Sequence, residues 1–115
     1  VVFDTHSQKL LVRKEKSIEL IWLHDHAYPP FQKKGFREEI VISDAELLDA
    51  QWFPYDTMHG VLRTRDEILF TELDGRGGRN VFVLVPERTD GLATLVDYPN
   101  SIFFKQNNKW YQLEL

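Results

Sequence analysis

The sequence predicts a mainly β fold with a minor α component, and three observations lead there. Turn-forming residues recur roughly every eight to twelve positions, the rhythm of short strands joined by tight connections. Between them lie short apolar runs rich in Val, Ile, Phe, Tyr and Trp, residues that fit a pleated surface. One stretch, near residues 44–51, carries a helix-start signature. About eight short, mostly antiparallel strands follow from this reading. They are expected to curl into a partly open barrel or sandwich, with the helix covering one end or edge.

The elements are justified in order. Val1–Asp4 and Leu10–Lys14 are apolar runs on either side of Thr5-His6-Ser7-Gln8-Lys9, a hairpin pattern. Ile18–His24 is apolar on both faces in its middle, which suits a central strand. Pro29 and Pro30 stop it, because proline lacks the N–H that a ladder needs. Phe36–Ile42 alternates, with Phe36, Glu38, Ile40 and Ile42 on one face. Ser43-Asp44-Ala45-Glu46 then fits a capping box, in which Ser43 and Glu46 satisfy each other's backbone donors. A helix to about Gln51 would stack Leu48 and Trp52 one turn apart, and Pro54 would end it. The rival pattern makes Leu48–Phe53 a strand. Met58-His59-Gly60 closes an irregular segment. Glu67–Leu73 and Asn80–Val85 read as strands around the turn Asp74–Gly78, the second apolar enough for burial on both faces. Trp22 and Phe82 are expected in the core. Leu92–Asp97, Ser101–Lys105 and Lys109–Leu115 complete the set, linked through Pro99-Asn100 and Asn107-Asn108. Asparagine suits the positive φ that such turns demand.

Composition bounds the function. The chain of 115 residues suits one domain spanning 1–115, which is also consistent with a piece excised from a longer protein. Its formal net charge of −4 argues against broad nucleic-acid binding, which needs a basic surface. With no cysteine, disulfides, thiolate metal sites and cysteine nucleophiles are excluded. No apolar run approaches the roughly 20 residues of a membrane-spanning helix. Serine hydrolase chemistry lacks its Gly-x-Ser-x-Gly elbow, and no cofactor is implied.

Four groups of residues carry candidate chemistry. His24 and His26 flank Asp25, and on a continuing strand both would point to one face and could chelate a divalent ion. The alternative is that the strand ends at His24 and both are loop residues facing solvent. Arg76, Gly77, Gly78 and Arg79 form a second candidate, an anion-binding nest of backbone N–H groups flanked by guanidinium charge. A strand follows here, however, where phosphate-cradling loops are followed by a helix, and a hairpin turn explains the glycines as well. The third group is aromatic: Tyr28, Phe31, Trp52, Tyr55 and Trp110 lie beside prolines or polar residues, as contact rings at a rim would. Glu38-Glu39 and Asp44/Glu46 are acidic pairs, but adjacent strand residues face opposite sides, and the second pair is accounted for by helix-start charge.

Val1–Asp4 with Lys9–Lys14 resembles the first hairpin of Nudix hydrolases, and Leu48–Pro54 resembles a later strand of that family. The glycine- and glutamate-rich helix that holds metal in that family has no counterpart beyond Arg37-Glu38-Glu39, so membership is not assigned.

The leading expectation is a non-enzymatic interaction module that contacts a protein partner through exposed aromatic and charged residues. The rivals are a small metalloenzyme using His24 and His26, and a structural domain of a larger assembly. Expected partners are another protein, the rest of a longer chain, or a second copy joined through edge strands.

Overall fold

The computed structural model describes residues 2–3, 9–25, 33–41, 44–54, 58–73 and 80–115. Among them run eleven strands: β1 (Val2–Phe3), β2 (Lys9–Arg13), β3 (Ser17–Trp22), β4 (Arg37–Val41), β5 (Leu47–Trp52), β6 (His59–Thr64), β7 (Ile68–Glu72), β8 (Val81–Val85), β9 (Gly91–Ala93), β10 (Ser101–Gln106) and β11 (Lys109–Glu114). They form three sheets in chain order: β1-β2-β3-β4, β5-β6-β7-β8, and β9-β10-β11. Every pairing is antiparallel between consecutive strands, so each sheet is a meander. No helix among the described residues is long and apolar enough to cross a membrane.

Alternation along the strands sorts the side chains into two apolar layers. The first lies between the first and second sheets, where Leu11, Ile18, Leu20 and Ile40 meet Leu47, Ala50, Trp52, Leu62 and Leu69. The second lies between the second and third sheets and joins Val61, Ile68 and Val85 to Leu92 and Ile102. Neighbouring β6 residues Val61 and Leu62 thus enter opposite layers, each with no exposed surface. Full burial of one such side chain contributes about 1.5–3 kcal/mol. The middle sheet is covered on both sides, which makes the molecule a stack of three sheets rather than a barrel.

The sheets approach one another most closely along their first strands, where β5 meets β1 and β2 on one side and β9 on the other. Polar groups clamp these seams. The Leu47 N–H donates to Glu15 O at 2.7 Å, and Arg13 Nη1 donates to Leu47 O at 2.8 Å. On the other side Thr94 Oγ1 donates to Trp52 O at 3.0 Å.

Four expectations need correction. The helix near 44–51 is absent; residues 47–52 are β5, a strand whose register shifts between Leu47 and Asp49. The four-residue spacing of Leu48 and Trp52 that suggested a helix spans this bulge, where Leu48 is the extra residue and Leu47, Ala50 and Trp52 are buried. The segment around Met58–Gly60 opens β6, a central strand, because burial of Val61 and Leu62 outweighs the poor strand propensity of Gly60. Phe82 is 52% exposed rather than core, since β8 is the outermost strand of its sheet. The strand expected over Leu92–Asp97 ends at Ala93, and the chain turns over residues 96–97.

Candidate docking surface

The hairpin of β10 and β11 builds the surface. Asn107 and Asn108 take φ of 54° and 64°, as a two-residue turn with right-handed strand twist requires. This turn sets the register Lys105↔Trp110, Phe103↔Gln112 and Ser101↔Glu114 on one face, and Phe104↔Tyr111 and Ile102↔Leu113 on the other. The second face turns inward: Ile102, Phe104 and Leu113 join the inner layer, and Phe104 stacks on Tyr111 at 5.5 Å. The first face turns away from the stack.

On that outward face, Trp110 lies across Gly91. A Cβ at position 91 would stand 3.4 Å from Trp110 Cη2 and 3.5 Å from Lys105 Cβ, in van der Waals contact with both. Tyr98 packs edge-on against Phe103 at 5.4 Å and 79°. Gln112 Nε2 donates to Ser101 Oγ at 2.9 Å, holding one end of the face. Trp110 is 56% exposed and Tyr98 is 50% exposed. Large apolar groups left in water on one face mark interaction sites more often than chance.

The opposite outer face, on the back of the first sheet, is built differently. Leu10, Val12 and Ile21 are half-buried there. Around them Lys14 and Arg37 each pair with Glu19 at 3.1 Å, and Ser17 Oγ donates to Glu39 at 2.8 Å. A charged, internally paired surface keeps its water. The stack therefore has one polar outer face and one aromatic one.

Of the aromatic residues singled out from the sequence, Trp110 is at this surface. Trp52 is not: it is 4% exposed and belongs to the first apolar layer, because the β5 register turns it inward. Tyr28, Phe31 and Tyr55 lie outside the described residues, as do His26 and the Arg76, Gly77, Gly78 and Arg79 loop. His24 follows the end of β3 and is exposed, as expected of a loop residue. Among the described residues no three His, Asp or Glu side chains gather as a metal site needs. Sequence reading missed Tyr98 and Phe103. The signal was available for Phe103, since the Asn107-Asn108 turn dictates which residues of β10 share a face with Trp110.

The fold and this surface define a class, a stack of antiparallel β-meanders with one uncovered aromatic face. The chain matches no family model, no curated protein and no solved structure.

Proposed function

We propose that the chain is a non-enzymatic interaction module and that its contact surface is the outward face of the third sheet. The observation that carries this reading is the contrast between the two outer faces: one is laced with ion pairs, the other leaves Trp110 and Tyr98 in water. The occupant is a protein surface of the same kind, a second copy of this chain meeting the face through a two-fold axis. Charge placement favours that pairing. Lys105 and Glu114 stand on the same face, level with opposite ends of the β10 segment from Ser101 to Lys105, about 13 Å apart along the strand. A two-fold axis between them sets each lysine toward the partner's glutamate, with the aromatic residues meeting in the middle.

Sedimentation of the wild-type chain over rising concentration tests this. The expected result is a species of twice the 13.6 kDa chain mass, lost in Trp110→Glu. A chain that stays monomeric throughout, or a dimer that Trp110→Glu leaves intact, overturns the reading. Because Trp110 is exposed, the substitution leaves both apolar layers untouched.

A further inference from the structure

A second feature lies away from the aromatic face. The connections at residues 44–46, 65–66 and 86–90 converge around a cleft of about 450 Å³. That volume is within the range of small-molecule sites. Its polar lining comes from Arg63, Arg65, Asp66, Arg88, Thr89 and Asp90, with Glu46 at the rim.

These side chains divide into a scaffold and a set with unused capacity. Arg63 is scaffold. Its Nε is paired with the Asp49 carboxylate at 2.5 Å, and its Nη1 donates to Thr89 O at 2.9 Å, which fastens the 86–90 connection to β6. Asp90 N–H donating to Lys105 O at 2.7 Å fixes the same connection to β10. Thr89 is held between these two anchors. It is 3% exposed, and its hydroxyl is buried with no hydrogen-bond partner. Arg65 and Arg88 make no ion pair or side-chain hydrogen bond among the described residues, and neither do the carboxylates of Asp66 and Asp90. The lining therefore offers two free guanidinium groups and free carboxylates in one concavity.

Charge balance selects the ligand class. Three arginines and three carboxylates line the cleft. A simple anion would face the carboxylates, and a simple cation would face the guanidinium groups. A molecule with both charges meets both sets. Guanidinium groups match phosphate and carboxylate oxygens in planar, two-pronged geometry.

We propose that this cleft binds a small zwitterion, its oxyanion held by Arg65 and Arg88 and its cationic group by Asp66 and Asp90. Titration reads small-molecule binding and sedimentation reads self-association, so the failure of one proposal is distinguishable from the failure of the other.

Calorimetric titration with O-phosphoethanolamine, inorganic phosphate and ethanolamine tests the proposal. The expected result is that O-phosphoethanolamine binds roughly tenfold or more tightly than either half alone, since each half forfeits hydrogen bonds to charged groups. Arg88→Ala is expected to weaken it by roughly tenfold or more. Arg88 is exposed, so Arg88→Ala reports on the site without threatening the fold. Absence of heat with all three probes, phosphate binding as tightly as O-phosphoethanolamine, or affinity unchanged in Arg88→Ala overturns the proposal.

Discussion

The ammonium of Lys9 lies over the ring face of Trp22, 4.6 Å from its centroid. The same Nζ is 5.7 Å from the centroid of Trp52 and 3.2 Å from Met58 Sδ, and the lysine is 1% exposed. Lys9 and Trp22 are cross-strand partners on the face of the first sheet that turns toward the second. A cation is thus closed between two sheets, with an indole contributed by each.

The lysine stem fills space between the sheets, and the ammonium gains from the two rings. Lys9→Ala is expected to cost about 2–4 kcal/mol in urea unfolding, like truncation of a buried Met. Lys9→Met keeps the stem and is expected to cost no more than about 2 kcal/mol, the worth of a desolvated cation–π contact. Equal losses in the two variants would mean that the ammonium, not the stem, carries the stabilisation.

The two apolar layers share the second sheet but contain different residues, which makes them separable by mutation. Leu20→Ala opens the first layer and Ile102→Ala the second. Each is expected to cost about 2–5 kcal/mol. The double variant should equal the sum to within about 0.5 kcal/mol, as for sites without shared partners. Leu20→Ala with Leu62→Ala, both in the first layer, is expected to depart from additivity. Strong coupling between Leu20 and Ile102 would contradict the two-layer division.

The outermost strands of the three sheets are protected unequally. β4 carries Arg37, Glu38 and Glu39, and β11 carries Lys109 and Glu114, whereas β8 reads Val-Phe-Val-Leu-Val without a charge. Val81, Phe82 and Val83 are exposed at 41%, 52% and 51%. Such an edge is a template for unwanted pairing. Phe82→Lys is expected to slow aggregation, followed by light scattering at elevated temperature, while changing folding stability by no more than about 0.5 kcal/mol. A large loss of stability would show that Phe82 packs more than its exposure indicates.

Much of this architecture was legible in the chain. Strand character, antiparallel order and the Asn107-Asn108 turn all follow from local rules, because alternation and positive φ are properties of a few neighbouring residues. What escaped were the features that depend on distant residues. β5 resembled a helix because Ser43–Glu46 reads as a capping box and Leu48 and Trp52 are four residues apart, and what decides the matter is pairing with β6, itself hidden by Gly60 and Arg63. Phe82 looked like core because composition reports hydrophobicity and not distance from the sheet's centre. Trp52 looked like a rim residue because its neighbours Phe53 and Pro54 say nothing about the lysine it covers.

The sequence by itself determined the material of this protein: short amphipathic strands, tight turns, no cysteine and no helix-length apolar span. The tertiary structure decided which strands lie in the middle, which aromatic rings face water, and which side chains meet around the cleft. Arg65 and Arg88 became noteworthy once two separate connections brought them to one concavity. Local periodicity carries information over one strand or turn, whereas burial and convergence are set by the packing of sheets whose contacts join residues tens of positions apart.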